Sequence, residues 1–178
     1  SNGICSLNPE VDRLTLSCRM EINERGEVVN HDIFDSVIHS NYRMTYDAVN
    51  QIITEKDHDV RKQYQEITPM LDLAQDLSNR LIQMRKRRGE IDFDISEAKV
   101  LVNNEGLPTD VVLRERGEGE RLIESFMLAA NETVAEHFNK LEVPFIYRVH
   151  EQPKSDRLRQ FFDFITNFGI MIKGTGED

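Results

Sequence analysis

Long apolar runs, tryptophan and closely spaced cysteines are all missing from this sequence, which has 178 residues, no tryptophan and two cysteines. No segment approaches the ~20 consecutive apolar residues of a membrane-spanning helix, and the first residues do not resemble a secretion signal. Cys5 and Cys18 have neither metal-ligand spacing nor a secretory context. We therefore predict a cytoplasmic protein that contacts no membrane and whose two thiols are reduced.

Motifs for several kinds of chemistry are missing too. The five histidines have no zinc-ligand spacing, and no serine or cysteine lies in a context typical of a catalytic triad. The glycines of RERGEGER do not follow the strand–GxGxxG–helix pattern of a phosphate-binding loop. Asp92, Asp94 and Glu97 carry the oxygen ligands that Mg²⁺ prefers. Strand alternation places Asp92 and Asp94 on one face, however, which favours a solvated position.

Positive charge is in short supply, since 22 lysines and arginines face 32 aspartates and glutamates, giving a net charge of −10. A free-standing nucleic-acid-binding protein usually has the opposite sign, because phosphate contacts dominate its affinity. The cations are unevenly spread, and five of them lie within RLIQMRKRRGE at residues 80–90. The favoured explanation is a helix C-terminus, where positive side chains interact favourably with the helix dipole.

What is present is the composition of a folded domain, with 39% apolar and 30% charged residues. Alternating apolar residues predict strands at 13–23 and 28–39, joined by a turn that contains Gly26. Two or three further short strands are predicted between residues 90 and 113, with NNEG as a hairpin turn. A last strand is predicted at 143–150, where a proline near the start is permitted.

Helical spacing predicts most of the remaining chain. One short helix covers 44–54, and a longer pattern runs from 59 to 88, where Pro69 should interrupt it and Gly89 should end it. A further helix covers 155–169. The N-caps predicted for the first and last of these helices are Thr45 and Ser155.

The segment GEGERLIESFMLAANETVAEHFNKL at 117–141 is predicted as one helix with a wide apolar face. The residues of that face are Ile123, Phe126, Met127, Ala130, Val134, Phe138 and Leu141. Glu124 and Asn131, seven residues apart, fall together in a gap between apolar groups. A carboxylate in this position is either a boundary residue of the helix or part of a functional site.

Paired strands segregate from long helices along the chain. This order predicts a mixed α+β domain over residues 1–178, with short antiparallel strands packed against several long helices. Three residues remain open to two explanations. Phe93 is a core side chain or an aromatic that stacks on a base, Tyr46 is a boundary tyrosine or a site residue, and Glu124 is a boundary carboxylate or a site residue.

Five segments read together resemble a known family. They are NGICSLNPEVDRLTLSCRMEIN, SVIHSNYRMTYDAVNQII, RRGEIDFDISEAKVLVN, RLIESFMLAANETVAEHF and PFIYRVHEQP. In order and spacing they are similar to the central-to-late part of the catalytic RNB domain of bacterial RNase R-type enzymes, within the RNase II family of exoribonucleases. The resemblance spans essentially the whole chain. SLNPEVDRLTLSC and RVHEQP look nearer to RNase R than to RNase II.

The resemblance implies processive 3′→5′ hydrolysis of single-stranded RNA to nucleoside 5′-monophosphates at a Mg²⁺ site. Phe93 matches one of two aromatic residues that clamp the stacked bases, and Tyr46 matches a tyrosine beside the 3′-terminal nucleotide. Glu124 matches a glutamate of the catalytic pocket near the terminal ribose, where it would help to distinguish RNA from DNA. Asn131 is interpreted as a structural hydrogen-bonding residue.

The chain also departs from the family. The family's metal-binding aspartates, second clamping aromatic and scissile-phosphate arginine have no counterparts in these 178 residues. We therefore expect an internal part of the catalytic domain, incomplete at both ends, that neither cleaves RNA nor holds Mg²⁺ tightly by itself. The parent is expected to be monomeric and the isolated chain to self-associate through uncovered strand edges and apolar surface. Two alternatives remain, a degenerate RNB-like module that binds RNA or protein without catalysis, and a purely structural or regulatory domain.

Overall fold

The structure of the protein, a computed structural model, describes residues 3–91, 97–114, 116–149 and 151–170. Within these ranges the chain forms two antiparallel hairpins and five helices, which confirms the predicted mixed α+β class. The elements are β1 (Asp12–Ile22), β2 (Val28–His39), α1 (Tyr46–Ile53), α2 (His58–Gln63), α3 (Thr68–Arg87), β3 (Glu97–Val102), β4 (Pro108–Arg114), α4 (Glu118–Lys140) and α5 (Ser155–Thr166). None of the described helices is long and apolar enough to cross a membrane.

Both hairpins turn on the same four-residue pattern, Asn-x-x-Gly, as predicted. Asn23 Oδ1 accepts hydrogen bonds from two following backbone N–H groups at 2.9 and 3.0 Å. Asn103 Oδ1 does the same at 2.9 and 3.0 Å. Gly26 and Gly106 close the two turns with φ of 79° and 78°, in the left-handed region that glycine adopts without steric cost.

Local sequence signals set the bounds of the first three helices. Thr45 caps α1, because its hydroxyl accepts from the backbone N–H of Ala48 at 3.2 Å. Pro69 lies in the first turn of α3, where its missing N–H costs nothing, so the predicted interruption is a boundary between α2 and α3. Gly89 follows the last turn of α3 with φ of 93° and ends the helix as predicted.

The hydrophobic core of the first compact unit, residues 1–143, lies where α1, α3 and α4 meet. Ile52 and Ile53 of α1 are fully buried, and they pack with Leu71 of α3 and Leu122 of α4. Burying an aliphatic side chain of this size contributes ~1.5–3 kcal/mol relative to leaving it exposed. The core therefore fixes α1 against the first turns of α4.

The buried face of α4 is only partly the one predicted from its apolar residues, of which Phe126 packs against the core. The buried residues are Gly119, Leu122, Ser125, Ala129 and Thr133. From the predicted face, Ile123 and Met127 are instead 42% and 59% exposed. The physical reason is close packing, since small side chains let neighbouring elements approach the helix. Thr133, for example, donates to the sulfur of Met20 in β1 at 3.3 Å, whereas Asn131 is exposed.

The second compact unit comprises residues 144–178. The predicted strand is wrong, because residues 144–149 have no strand structure. Apolar alternation is not sufficient for a strand, which also needs a neighbouring strand to hydrogen-bond with, and the described residues of this unit contain none. Helix α5 is confirmed, but Lys154 is its N-cap and Ser155 its first residue.

An ion-pair cluster around Asp72 connects α2 to α3. We expect it to contribute to the loss of folding stability at low pH. Arg61 donates to the two carboxylate oxygens at 3.1 and 2.8 Å, and Lys56 Nζ donates at 3.0 Å. The hydrogen bonds from Arg61 first, and from Lys56 second, lower the pKa of Asp72 from 3.8 to about 2. Because the folded-state pKa is lowered, this stabilisation is fully present above the ordinary value and is lost as the pH falls through about 2.

The free energy of unfolding, measured with denaturant, should fall from neutral to strongly acidic pH, and it should fall less in Asp72→Asn than in the unsubstituted chain. The two decreases should differ by less than ~1 kcal/mol, because exposed ion pairs are screened by water and the Asp72 side chain is 37% exposed. An acid-induced loss of the same size in both proteins would contradict this assignment.

Candidate functional site

A groove of about 880 Å³ opens in the first unit between the start of α1, the β3–β4 hairpin and the first two turns of α4. Aliphatic side chains from several elements form much of its wall, and they are Leu71, Leu101, Val112, Leu113, Leu122 and Ile123. Polar groups are contributed by Tyr46, Asp47 and Glu120. A pocket of this size accommodates a ligand as large as a nucleotide.

Tyr46, one of the predicted site residues, lines this groove. It is the first residue of α1, and the N-cap at Thr45 fixes the backbone just before it. Its side chain is exposed, so the ring is available to a ligand. An aromatic ring beside an apolar wall can stack on a base of any identity.

Asn50 fixes α1 to the start of α4, a contact that was not predicted from the sequence. Its Oδ1 accepts from the backbone N–H of Gly119 at 2.7 Å, and its Nδ2 donates to Glu120 Oε2 at 3.2 Å. A Cβ on Gly117 would lie 2.3 Å from Asn50 Nδ2, so the helices approach this closely only because glycine is present. The sequence signal for this contact is a Gly-x-Gly that spans the start of a helix, from the N-cap Gly117 to Gly119.

Glu124 does not line the groove but faces a second, smaller pocket between α3 and α4, of about 30 Å³. We call this the basic pocket, and its residues are Ile82, Arg85, Lys86, Glu90, Arg116, Arg121, Glu124 and Ser125. Glu120 and Ile123, on the same helix, line the groove. The first turns of α4 therefore lie between the two pockets, and the structure places Tyr46 and Glu124 in different ones.

Within the basic pocket Glu124 forms an ion pair with Arg116, which precedes α4. The side chains of Arg116 and Glu124 are 36% and 45% exposed, so a ligand can reach both. The pair places the Glu124 carboxylate beside a cation at the edge of the core. Arg116 was not predicted as a functional residue, since its partner is recognisable only in three dimensions.

Arg85 forms the buried base of the basic pocket. Its side chain is 11% exposed. Its Nε donates to Glu90 Oε2 at 2.8 Å, and its Nη2 donates to the buried hydroxyl of Ser125 at 3.3 Å. Arg88, three residues further on, instead donates to Glu132 at 2.7 Å on the surface, and this hydrogen bond raises the pKa of Arg88. The predicted C-terminus of the helix is confirmed. Of its cationic side chains, Arg85 is buried and Arg88 is exposed.

Phe93, the third predicted site residue, lies outside the described residues, as do Asp92 and Asp94. Within the ranges that the structure describes, no group of three or more histidine, cysteine, aspartate or glutamate side chains is placed to hold a metal ion. Glu124, the carboxylate matched to the family's catalytic pocket, is paired with Arg116. The described residues therefore do not fit the Mg²⁺ that the family resemblance implies.

Comparison with known proteins extends over the whole chain. Residues 1–175 match the RNB domain family. The sequence is 55% identical to Ribonuclease R 1 of Lactococcus lactis subsp. lactis, over 98% of this chain and 21% of that protein. It is 43% identical to Ribonuclease R 2 of the same organism, over 97% of this chain and 26% of that protein. The chain thus spans between a fifth and about a quarter of the length of these curated relatives.

The fold is similar to that of a solved structure. It matches Mycoplasma genitalium RNase R in complex with ribose-methylated single-stranded RNA with a TM-score of 0.87 and 26% sequence identity. The match covers 100% of this chain and 28% of that one. Sequence and fold therefore point to the same group of proteins.

Proposed function

The chain belongs to the RNB domain family, and from this we propose that it is part of a 3′→5′ exoribonuclease that processively hydrolyses single-stranded RNA to nucleoside 5′-monophosphates. The observation that carries the proposal is the similarity of the whole chain to proteins named ribonuclease R, including one with single-stranded RNA bound. The chain contributes RNA-binding surface to that enzyme. The parent acts as a monomer in the cytoplasm on the 3′ end of its substrate.

The groove supplies a surface for bases. Its aliphatic wall and the exposed ring of Tyr46 offer contacts that depend on the shape of a base and not on its hydrogen-bonding edge. Such contacts suit an enzyme that must degrade any sequence. Tyr46 thereby contacts the 3′-terminal nucleotide, and Phe93 supplies a second stacking surface for the preceding bases.

The basic pocket supplies a surface for the sugar and phosphate. The Glu124 carboxylate accepts a hydrogen bond from a ribose hydroxyl, which DNA lacks at the 2′ position. Glu124 thus belongs to the catalytic pocket of the whole enzyme. The Mg²⁺ that the family implies would be held by residues outside this chain, where it would supply the chemistry of metal-assisted hydrolysis.

Nuclease activity should therefore appear only when the chain is placed among the other parts of the enzyme. We expect no release of nucleoside 5′-monophosphates from a 3′-tailed RNA by the chain alone with Mg²⁺. We expect release by a chimera in which the chain replaces the matching segment of Ribonuclease R 1 of Lactococcus lactis, its 55% identical relative. In that chimera Glu124→Gln should lower the preference for RNA over DNA roughly tenfold, because a hydrogen bond to a charged group is lost.

Unmodified Ribonuclease R 1 and the same protein without the matching segment are the controls. Monophosphate release by a clean preparation of the chain alone would contradict its inactivity. A soluble, folded chimera without activity would contradict the proposed function, because the matching segment of an enzyme from the same family should restore a working site.

A second candidate function is a noncatalytic RNB-like module that binds RNA or protein. It requires only a binding surface such as the groove beside Tyr46, and no metal-binding group within the chain. It predicts RNA or protein binding by the chain together with an inactive chimera, so the same experiment separates the two functions.

Exposed apolar side chains such as Leu14 and Leu16 of β1 also support self-association of the isolated chain.

A further inference from the structure

The start of α4 is capped by a residue of another helix. The N-cap residue of α4 is Gly117, which has no side chain with which to accept a hydrogen bond. The first N–H groups of a helix have no partners within the helix, so they need acceptors from elsewhere. Asn50 of α1 supplies one, because its Oδ1 accepts from the backbone N–H of Gly119 at 2.7 Å.

This contact has both halves of a capping box, although its residues come from two helices. In a capping box the capping side chain accepts from an N–H of the first turn, and a glutamate at the third helical position hydrogen-bonds back to the capping residue. Glu120 occupies that third position, and its Oε2 accepts from Asn50 Nδ2 at 3.2 Å. A single orientation of the amide satisfies both partners, because one is a donor and the other an acceptor.

Glycine makes room for the amide group on both sides. A Cβ on Gly117 would lie 2.8 Å from Asn50 Oδ1, and a Cβ on Gly119 would lie 3.1 Å from the same atom. Both distances are shorter than an ordinary contact between carbon and oxygen. The backbone of α4 therefore lies directly against the Asn50 side chain, and the position of one helix depends on the other.

Asn50 connects the two helices that carry the proposed RNA contacts. Tyr46 lies four residues before Asn50, on the same face of α1. Glu124 lies four residues after Glu120, about one turn further along α4. One helical turn thus separates the cap from each of the two side chains. The ring in the groove and the carboxylate in the basic pocket are therefore held relative to each other through this contact.

We infer that Asn50 is a positioning residue, which holds Tyr46 and Glu124 at the spacing that lets them contact the base and the ribose of one nucleotide. This inference rests on the proposed function and extends it to a residue outside the lining of the groove. The apolar core between α1 and α4 does not set this spacing by itself, because the hydrophobic effect is non-directional. The two hydrogen bonds of Asn50 depend on direction and so fix the register of the helices.

The test uses the chimera with Ribonuclease R 1 of Lactococcus lactis, assayed with a 3′-tailed RNA and with the same RNA ending in a deoxyribonucleotide. We expect Asn50→Ala to lower kcat about tenfold, because a small misplacement of the terminal nucleotide slows its reaction. KM should change less than about twofold, since contacts with the rest of the RNA remain. The preference for a terminal ribonucleotide should fall about threefold, because the Glu124 carboxylate is displaced and not removed.

Loss of a cap also destabilises a helix, and a double variant separates this effect from positioning. In Asn50→Ala/Gly117→Ser the serine supplies a local N-cap, because the backbone of Gly117 has the extended conformation typical of that position. The three atoms nearest to a Cβ at position 117 all belong to the Asn50 amide group, which alanine lacks. We expect the double variant of the 178-residue chain to regain its urea midpoint, and that of the chimera to keep the low kcat.

Asp57→Ala is the matched control, because it removes a cap of the same kind from α2. Asp57 Oδ1 accepts from the backbone N–H groups of Asp59 and Val60 at 3.0 and 2.9 Å. No residue of α2 is among those that line the groove or the basic pocket. The urea midpoint should therefore fall about as much as in Asn50→Ala, whereas kcat and the preference for a terminal ribonucleotide should not change.

Three results in an active chimera would overturn the inference alone. Recovery of kcat together with stability in Asn50→Ala/Gly117→Ser would show that Asn50 acts only as a helix cap. An equal loss of kcat in Asp57→Ala would show that stability alone decides activity. A normal kcat in Asn50→Ala would show that the spacing does not depend on this side chain. An inactive unsubstituted chimera would overturn the proposed function and this inference with it, so the two failures are distinguishable.

Discussion

Replacing Arg85 with methionine should lower the free energy of unfolding by about 2 kcal/mol. Its guanidinium group bridges α3 to α4, donating to Glu90 at 2.8 Å and to Ser125 at 3.3 Å. Methionine fills a similar volume but leaves the Ser125 hydroxyl, which is 1% exposed, without its cationic partner. Glu90 is 38% exposed and can be solvated after the substitution, so the main cost is the buried Ser125 hydroxyl, which loses its hydrogen-bond partner.

The control is the same change, from arginine to methionine, at Arg88 of the same helix. Arg88 forms an ion pair with Glu132, and the two side chains are 57% and 48% exposed. Arg88→Met should therefore cost less than ~1 kcal/mol, the usual range for exposed pairs. Urea unfolding of the two variants measures the difference directly. Equal destabilisation by both substitutions would show that Arg85 is not held in the way described.

The effect of a substitution on ligand binding at the basic pocket can be separated from its effect on the free energy of unfolding. Arg85 forms the base of the basic pocket, whereas Arg116 and Glu124 form its exposed mouth. A variant at the mouth should change ligand binding with little effect on unfolding. A variant at the base should change both, because the pocket depends on the contact between α3 and α4.

Much of the fold could be predicted because the signals are local. The cap at Thr45, the proline at position 69 and the glycine at position 89 act on the backbone of their own turn. The two Asn-x-x-Gly turns are likewise defined by hydrogen bonds within a few residues. Such features depend only on neighbouring residues and not on tertiary packing, so they can be predicted from a single sequence.

The orientation of α4 could not be predicted, because it depends on its neighbours. The period of its apolar residues indicated the helix correctly but favoured a face that includes Met127, which is 59% exposed. The face that packs contains Ser125 and Ala129, whose small side chains permit close approach. Hydrophobicity alone ranks these residues below their apolar neighbours, so the predicted face includes Phe126, which packs against the core, but is rotated away from the small residues that are most buried.

Some of the candidate functional residues could be predicted from the sequence, and others are recognisable only in the folded chain. Tyr46 and Glu124 were predicted from family resemblance, and the structure places them in the groove and in the basic pocket. Their roles remain proposals. Arg116 is eight residues from Glu124 in sequence and was not predicted, since only the folded chain brings their side chains together. The net charge of −10 likewise gives no sign of a locally basic pocket.

Replacing Gly26 with alanine should destabilise the fold by about 2–4 kcal/mol. Gly26 is buried where the turn of the β1–β2 hairpin meets α3. A Cβ there would lie 2.6 Å from the backbone oxygen of Arg80 and 3.0 Å from Met84 Cβ. A helix backbone cannot move aside as a flexible side chain can, so the hairpin must shift away from α3. The positive φ of 79° adds a conformational penalty.

Gly106→Ala is a closely matched control, because its turn has the same hydrogen bonds and φ of 78°. Nothing lies within 4 Å of a Cβ built on Gly106. That variant should therefore lose only the conformational part, about 1 kcal/mol. Thermal and urea unfolding of both variants isolate the contact between the hairpin and α3 as the difference between them. Equal losses would mean that backbone conformation alone requires glycine at position 26, and that the hairpin is not held tightly against α3.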